Sequence, residues 1–278
     1  MMQLYDQVCL ETSKRVTQAY TTSFYYGIQM LGKELRQPIY NIYGFVRFAD
    51  EIVDTFDKGD KAMLLNKFTE DTWLAIEQGV SLNPILHSFQ ETVNRFNVDH
   101  SHIQTFIDSM AMDLEQRTYT QKEYKKYILG SAEVVGLMCL HVFAGGDQAK
   151  YDALKPGAMK LGSAFQKINF LRDLKADSQG LGRIYFPNVD LSTFNEATKQ
   201  QIEQEIEAEF FEARESIKQL PKSSRLGVYT AWVYYYGLLK KIKHLPPATI
   251  LTQRVRIPNW KKMFLLFQAR MKMTFGGI

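Results

Sequence analysis

The chain has 278 residues, a formal net charge of +4, 45% hydrophobic and 23% charged residues, and two cysteines. These values are ordinary for a globular protein, and they exclude a disulfide framework, a cysteine zinc site and a low-complexity linker. The N-terminus lacks the basic and apolar regions of a signal peptide, and no apolar run approaches the roughly 18 residues that span a bilayer. We therefore expect a cytoplasmic protein with a single domain over residues 1–278 and no nucleic-acid partner.

Helical periodicity runs along almost the whole chain. Apolar side chains follow one helix face at Leu64, Phe68 and Ile76, for example, and no strand–helix alternation or internal repeat is found. Glycine, proline and asparagine divide the chain into about ten helices. These breaks fall at residues 32–38, 59–60, 83–84, 97–101, 145–146, 180–187, 221–224 and 246–247. The pattern predicts an all-α helical bundle with its active-site cavity between helices, and N-caps at Asp60 and Ser101.

The first functional signal is an acidic pair within residues 43–54. At about 100° per residue, one polar stripe contains Tyr43, Arg47, Asp50 and Asp54, whereas Glu51 lies about 80° away from it. The two aspartates are four residues apart, so their carboxylates point the same way and repel each other. Such a stripe inside a bundle is unfavourable unless a ligand or a metal ion compensates its charge.

A second acidic pair repeats this pattern further along the chain. Its stripe consists of Gln166, Asn169, Asp173 and Asp177. Gly162 lies on the same face one turn earlier, where the absence of a side chain would let a ligand approach. Arg172 lies about 100° away from Asp173, so we expect it to form a supporting salt bridge rather than to contact the substrate.

The two stripes together indicate a shared site. One acidic stripe is often only a solvated helix face. Two matching stripes with amide, arginine and tyrosine neighbours are much less often explained in this way. Oxygen ligands without histidine or cysteine favour Mg²⁺ or Mn²⁺ over zinc, and magnesium usually combines one or two carboxylates with substrate phosphate. The sequence therefore predicts a metal-assisted site for a diphosphate-bearing substrate.

The C-terminal 63 residues form a basic end. They hold 12 Lys and Arg and no Asp or Glu, so the first 215 residues carry −8. A basic end is either a solvated face or a surface for the anionic groups of a substrate or a membrane. Residues 254–272 combine basic residues with Trp260, Phe264 and Phe267, so we expect an amphipathic segment that allows peripheral contact with the inner membrane.

These motifs resemble those of the squalene/phytoene synthase family of head-to-head prenyltransferases. The first is Tyr43-x-x-x-Arg47-x-x-Asp50-Glu51-x-x-Asp54, with Asp-Glu where Asp-Asp is common. The second is Gln166-x-x-Asn169-x-x-Arg172-Asp173-x-x-x-Asp177, followed by Gly-Arg-Ile-Tyr-Phe-Pro at residues 182–187. The resemblance extends from about residue 15 to residue 270, and the second motif with its tail is highly specific.

Two further segments carry the resemblance. Thr21-Thr22-Ser23-Phe24 is similar to a segment that borders the substrate in the family. Tyr127 and the run Ser131-Ala-Glu-Val-Val-Gly136 match a segment that usually reads Val-Ala-Gly-x-Val-Gly, from which Ser131 and Glu133 depart.

The resemblance implies an all-α isoprenoid-synthase fold and a two-step reaction. One allylic prenyl diphosphate loses diphosphate, and the double bond of a second attacks the cation to give a cyclopropylcarbinyl diphosphate. A second ionisation and rearrangement follow; proton loss then gives a conjugated triene, as in phytoene, whereas hydride from NADPH would give squalene. The chain has no dinucleotide motif and no C-terminal membrane span, so we expect a phytoene synthase of carotenoid biosynthesis that joins two C20 diphosphates without NADPH.

The resemblance also implies roles for residues of this chain. The metal ligands are Asp50, Asp54, Asp173 and Asp177, with Asn169 as a neutral oxygen donor to Mg²⁺ or Mn²⁺. The diphosphate contacts are Arg47 and Arg183, with Arg254 and Arg256 as further candidates. Tyr127 would stabilise a cation or relay a proton, and Tyr43 and Gln166 would orient the substrate. The other substrate-binding residues are Ser23, Phe24 and Tyr185.

Three other functions stay open at this point. A squalene or dehydrosqualene synthase would use the same motifs on two C15 diphosphates, because chain length depends on pocket depth. A class I terpene cyclase usually has two different metal motifs, unlike the matching pair here. A non-catalytic scaffold of the same fold typically loses the aspartates, and this chain keeps all four.

Overall fold

The computed structural model describes residues 2–115, 118–187, 189, 191 and 193–274. Within these ranges the chain forms thirteen α-helices, and its extended backbone pairs at an isolated bridge between Thr118 and Ile184. The predicted all-α class is therefore confirmed. The helices are α1 Met2–Tyr20, α2 Thr22–Gln29, α3 Lys33–Asp54, α4 Lys61–Gln78, α5 Pro84–Phe96, α6 His100–Glu115, α7 Gln121–Ile128, α8 Val134–Ala144, α9 Gln148–Ala176, α10 Glu196–Gln219, α11 Lys222–Lys243, α12 Pro247–Thr252 and α13 Asn259–Thr274.

Helix boundaries follow the expected capping chemistry at several breaks. The Asp60 side chain accepts hydrogen bonds from two backbone N–H groups of the first turn of α4, so the N-cap predicted there is confirmed. The N-cap predicted at Ser101 is wrong, because Ser101 lies inside α6 and its N–H donates to the Asp99 side chain. The described ranges contain more helices than expected, partly because the break at Thr21 contains neither glycine nor proline.

Two π-helical turns overlap the predicted motif segments. Leu129–Glu133 joins α7 to α8, and Asp177–Leu181 follows α9. Gly182 ends the second turn in the left-handed region at φ 67°, and the Arg183 N–H donates to the Asp177 carbonyl oxygen at 2.8 Å. This reversal directs Arg183 back toward the end of α3.

Two apolar clusters fill the space between the helices. One involves α3, α4, α5, α6 and α8, and it stacks Phe45 on Phe89 with ring centroids 3.9 Å apart. The other extends from α7 to α11 and includes Phe170, Phe210 and Trp232. Because α9 packs against α8, α10 and α11, the position of its motif face is fixed from several sides.

Two glycines bring α2 against α11. A Cβ atom at Gly227 would lie 2.8 Å from the Gly27 carbonyl oxygen and 2.3 Å from Leu31 Cδ2, so this crossing requires glycine. The close approach leaves the ring centroids of Phe24 on α2 and Tyr235 on α11 5.8 Å apart.

The helical run Gln121–Ala144 is long and apolar enough to cross a membrane by length and composition. However, 56% of its most apolar 18-residue stretch is buried inside the fold, where Met138 and Leu140 belong to the apolar clusters. This is the packing of a core helix, as the sequence predicts for residues 134–144.

Candidate active site

A cavity of about 300 Å³ lies between α2, α3, α8, α9, α10 and α11. This volume falls at the lower end of the range for small-molecule sites. Most of its lining is aliphatic or aromatic, with Ile28, Val46 and Phe165 as examples. The first members of both predicted stripes, Tyr43 and Gln166, lie on its wall, so the expected site between helices is present.

Asn169 presents an unpaired amide oxygen at this wall. Its Nδ2 donates to Gln166 Oε1 at 3.4 Å, whereas its Oδ1 is buried and has no hydrogen-bond partner. Buried amide oxygens nearly always have a partner in folded proteins. Asn169 Oδ1 is therefore available to a cation or to a hydrogen-bond donor of a ligand.

The first acidic pair lies on α3, further along the helix than the cavity wall. Arg47 forms ion pairs with both Asp50 and Glu51, although the wheel places Glu51 off the stripe. Burial, and then the charge of Asp54, raise the pKa of Asp50 to about 7. The stripe that begins at Tyr43 therefore ends in two carboxylates that repel each other.

Asp173 of the second pair is held between two arginines. Arg172 Nη2 lies 2.5 Å from Asp173 Oδ2, and Arg254 Nε lies 2.6 Å from Asp173 Oδ1. The supporting salt bridge predicted for Arg172 is present, and Arg254 reaches the site from the segment before α13. Burial, and then the charges of Asp173 and Asp54, raise the pKa of Asp177 to about 7. The charge of Asp54 at the end of α3 therefore acts on Asp177 of the second pair.

Arg183 connects the end of α3 to α6. It is 3% exposed; its Nη1 lies 2.6 Å from Asp54 Oδ1, and its Nη2 donates to the carbonyl oxygens of Asp113 at 2.9 Å and Val53 at 3.3 Å. A guanidinium with this many fixed partners has little freedom to move. These contacts place Arg183 among the acids of the site, with its Nε buried and without a hydrogen-bond partner, and its predicted contact with diphosphate stays a prediction.

Asp113 is a buried acid that the sequence reasoning missed. It is 2% exposed and accepts hydrogen bonds from three hydroxyls, those of Tyr127 at 2.6 Å, Tyr119 at 3.0 Å and Tyr185 at 3.1 Å. Arg183 Nη1 lies 3.7 Å from its Oδ1. Burial raises the pKa of Asp113 to about 6. This carboxylate therefore organises the side chains behind Asp54.

A signal for Asp113 is present in the sequence. Phe106 and Met110 belong to the apolar stripe of α6, and at about 100° per residue Asp113 falls on that same stripe. A carboxylate on a buried helix face needs several donors. An acid at such a position is therefore a candidate for a site or for a buried network.

Tyr127 and Tyr185 lie behind the cavity rather than on its wall. The sequence placed Tyr127 beside the reacting cation and Tyr185 among the substrate contacts, but neither lines the cavity. Both rings are buried, and both hydroxyls donate to Asp113, because a buried carboxylate recruits the nearest O–H groups. The predicted roles of Tyr127 beside the cation and of Tyr185 as a substrate contact stay predictions.

The remaining predicted contacts divide into two groups. Phe24 lines the cavity, with its ring centroid 6.1 Å from that of Tyr43, and Ser23 is half-buried beside it on α2. Arg256 is exposed, and its carbonyl oxygen accepts a hydrogen bond from Lys241 Nζ at 2.6 Å. The structure thus brings Phe24 to the site and leaves Arg256 outside the ion pairs around Asp173.

The segment that departs from the family pattern forms the π-helical turn. The Ser131 hydroxyl oxygen is buried without a hydrogen-bond partner, in a side chain that lines the cavity, whereas Glu133 does not line it. Gly162 also lines the cavity, but a Cβ atom there would lie 2.6 Å from the Ala132 carbonyl oxygen. The glycine therefore makes room for the turn, and the prediction that it lets a ligand approach stays a prediction.

The oxygen donors at this end of the cavity fit a hard divalent cation. Among the residues that the structure describes, no three His, Cys, Asp or Glu side chains form a group that could hold a metal ion alone. Magnesium does not require such a cage, because it keeps several waters and shares phosphate oxygens. The unpaired Asn169 Oδ1, one helical turn before Asp173 on α9, is a donor of the type that magnesium takes.

Lowering the pH from 8 to 6 is expected to weaken metal-dependent turnover. The pKa values of Asp50 and Asp177 are each raised to about 7, so protons compete with the cation below that pH. We expect the half-saturating Mg²⁺ concentration to rise about tenfold to a hundredfold between pH 8 and pH 6. Steady-state titrations with Mg²⁺ at each pH would measure this, and a constant half-saturation value would contradict it.

The raised pKa values of Asp50 and Asp177 also predict that the metal-free protein becomes more stable as the pH falls. Because the folded-state pKa of both carboxyls lies above the unfolded value, the folded state binds protons more tightly. Stability should therefore increase as the pH falls through about 7. Thermal unfolding in chelator between pH 8 and pH 6 would detect this.

Comparison with known proteins identifies the family that the motifs resemble, over most of the chain. Residues 17–261 match the family model described as "Squalene/phytoene synthase". A phytoene synthase of Arthrospira platensis is 30% identical over 98% of this chain and 99% of that protein. A 15-cis-phytoene synthase of Synechococcus elongatus is 28% identical over 95% of this chain and 93% of that protein.

Solved structures share the fold. A dehydrosqualene synthase determined with a ligand has a TM-score of 0.82 and 21% identity over 98% of both chains. A squalene synthase from Alicyclobacillus acidocaldarius has a TM-score of 0.75 and 21% identity over 86% of this chain and 95% of that chain. This likeness shows the all-α isoprenoid-synthase fold that the motifs implied.

Proposed function

Because the chain belongs to the squalene/phytoene synthase family, whose members are prenyltransferases, we propose that it is a phytoene synthase that joins two geranylgeranyl diphosphates head to head. The observation that carries this proposal is the position of the two acidic stripes, which begin on the wall of one largely apolar cavity. Relatives that align over nearly the whole chain are named phytoene synthases, which favours C20 substrates.

We assign the loss of diphosphate to the arginine-bound acids. The carbon–oxygen bond of one substrate breaks, and its electron pair leaves with the diphosphate. Mg²⁺ or Mn²⁺, when bound, supplies Lewis-acid neutralisation of this leaving group. The ligands proposed for it are Asp50, Asp54, Asn169, Asp173 and Asp177. Arg47 and Arg254 are only partly buried, so each can exchange its carboxylate for a diphosphate oxygen.

The apolar cavity protects the cationic steps from water. The double bond of the second substrate attacks the allylic cation, and proton loss closes the cyclopropane. After the second diphosphate leaves, rearrangement and a further proton loss produce the conjugated triene. The rings of Phe24, Phe165 and Tyr235, which lie within about 6 Å of one another, offer their π-faces to these cations, and Tyr43 and Gln166 orient the substrates.

Asp113 has a positioning role in this proposal. It fixes Arg183 through its backbone carbonyl oxygen and lies 3.7 Å from the guanidinium, which in turn holds Asp54. It also fixes the Tyr127 hydroxyl, which removes that group from direct contact with the cavity. We therefore propose that Tyr127 acts through Asp113 rather than on the cation itself.

The second candidate is a squalene or dehydrosqualene synthase that uses two farnesyl diphosphates. Solved structures named for these activities share the fold at 21% identity, which does not distinguish C15 from C20 substrates. Both activities need the same acids and the same diphosphate chemistry. Substrate length is therefore the property to measure.

Purified protein with Mg²⁺ is expected to convert geranylgeranyl diphosphate to phytoene, at a rate that NADPH does not change. We expect kcat/KM for the C20 substrate to exceed that for farnesyl diphosphate by at least about tenfold, because a pocket discriminates by lost apolar contacts. Product mass from a mixed incubation measures both. A C30 product as the main species would favour the second candidate, and no coupled product from either substrate would overturn the proposal.

We also propose a cellular setting for this reaction. The protein works in the cytoplasm on prenyl diphosphates, with peripheral contact to the inner membrane through its basic C-terminal segment. The absence of acidic residues after Glu215 supports that contact.

A further inference from the structure

Helix α13 has one face packed on the fold. Ala269 is completely buried, and Leu265 and Met273 pack against the apolar cluster that includes α11. At about 100° per residue these three side chains fall within one arc of roughly 80°. The helix is therefore anchored through this face, and its opposite side is turned away from the protein.

The opposite face of α13 is apolar as well. It carries five large side chains that are 40–73% exposed: Trp260, Met263, Phe264, Phe267 and Met271. On the helical wheel these five fall within an arc of about 100°. Single exposed apolar residues are normal on protein surfaces, but a continuous row on one helix indicates an interaction surface. We call these five residues the outer face.

Basic residues border the outer face on both sides. Lys261 and Lys272 lie about 100° and 120° from Trp260 in one direction, and Arg270 lies about 80° from it in the other. No acidic residue occurs after Glu215. An apolar stripe between basic flanks matches the interface of an anionic bilayer, where acyl chains lie beneath phosphate groups. A second copy of the chain would instead place like charges opposite each other.

The packed side of α13 lies beside the active site. Lys262 Nζ donates to Thr22 Oγ1 at 2.6 Å, and Thr22 begins the helix that carries Phe24 to the cavity wall. In the segment just before α13, Arg254 binds Asp173. Helix α13 therefore contacts the first residue of α2, and the segment that precedes it contacts Asp173 of the second acidic pair.

We propose that the outer face of α13 docks the protein flat on an anionic lipid bilayer, next to the active-site cavity. Docking in this orientation brings the cavity to the surface from which amphiphilic prenyl diphosphates arrive and into which an apolar product passes. The docking assigns to one helix face the membrane contact proposed above. The statement about substrates and product rests on the proposed activity, whereas the docking itself does not.

The test compares vesicle binding of the full chain and of matched variants. Wild-type protein should co-sediment with phosphatidylcholine vesicles that contain phosphatidylglycerol, more strongly at low salt, and should bind pure phosphatidylcholine at least about tenfold more weakly. Replacing Trp260, Phe264 and Phe267 together by serine should reduce binding at least about tenfold. Leu82→Ser removes a side chain that is 97% exposed elsewhere, so it should bind as wild type does.

Lysine replacements test the charge contribution separately. Lys261→Gln with Lys272→Gln should weaken binding to the anionic vesicles about tenfold and leave the weak binding to pure phosphatidylcholine unchanged. Circular dichroism of every variant should match the wild type, because the replaced side chains are exposed.

The outcomes that overturn the proposal are specific. Indifference of the wild type to anionic vesicles overturns docking, and serine variants that bind as tightly as the wild type overturn the assignment to the outer face. Concentration-dependent dimerisation that the serine substitutions abolish, without vesicle binding, would assign the face to a second copy instead. Sedimentation needs no substrate, so its result is independent of whether C20 coupling is observed in detergent.

Discussion

Replacing Asp50 or Asp173 by asparagine is expected to reduce prenyl coupling about a thousandfold or more while the protein stays folded. Each substitution removes a carboxylate from the set proposed to hold the cation, and loss of about 4 kcal/mol of transition-state stabilisation corresponds to this factor. Asparagine keeps the volume of aspartate, so packing is preserved. Single-turnover assays at saturating Mg²⁺, with thermal unfolding in parallel, would measure both effects.

The two substitutions should differ in their effect on stability. Asp50→Asn removes a charge that burial and Asp54 disfavour, so the melting temperature of the metal-free protein should be unchanged or higher. Asp173→Asn leaves Arg172 and Arg254 without their shared carboxylate, so it should lower the melting temperature slightly. Asp108→Asn, an exposed change on α6, is the matched control and should affect neither property. Full activity of both variants would contradict the proposed role of Asp50 and Asp173 in holding the cation.

Replacing Arg183 by methionine is expected to reduce the free energy of unfolding by about 3–5 kcal/mol. The substitution leaves the buried Asp113 without its cation and frees Asp54, and breaking a buried charge pair from one side typically has this effect. Turnover should fall as well, because Asp54 loses the group that positions it. Urea unfolding monitored by circular dichroism gives the first quantity, and the C20 assay gives the second.

A double-mutant cycle separates the charge effect from lost packing. Asp113→Asn removes the buried negative charge, so in that background Arg183→Met should be less destabilising by about 0.5–3 kcal/mol. Arg95→Met on α5, where the arginine is exposed, is the control and should change stability by less than about 0.5 kcal/mol. Additive losses in the double variant would show that Asp113 and Arg183 are not coupled.

The parts of the site that the sequence predicts are those fixed within one helix. The order Tyr43, Arg47, Asp50 and Asp54 follows from 3.6 residues per turn, and the same geometry places Arg172 beside rather than on the second stripe. The cavity lining includes Tyr43, Gln166 and Asn169, as the helical wheels of the two stripes predict. Local periodicity therefore determines which side chains share a face.

The parts that the sequence does not predict depend on contacts between distant segments. Arg183 follows the second acidic pair closely in sequence, but its pairing with Asp54 and Asp113 follows only from the chain reversal at Gly182. Asp113 lies on an apolar stripe, and its three tyrosine partners come from three other places in the chain. Only the packing of α6 against the segments that carry these residues reveals the network.

The arginine partners of the acidic pairs have a consequence for life under metal starvation. Arg47, Arg183 and Arg254 already pair with Asp50, Asp54 and Asp173, so three of the four motif acids have an arginine partner without a divalent cation. A zinc finger, by contrast, unfolds when its ion is withdrawn. If turnover needs a divalent cation, as proposed, metal starvation would therefore leave an intact, idle pool of this protein. Product formation would then recover on the timescale of ion uptake rather than of new protein synthesis.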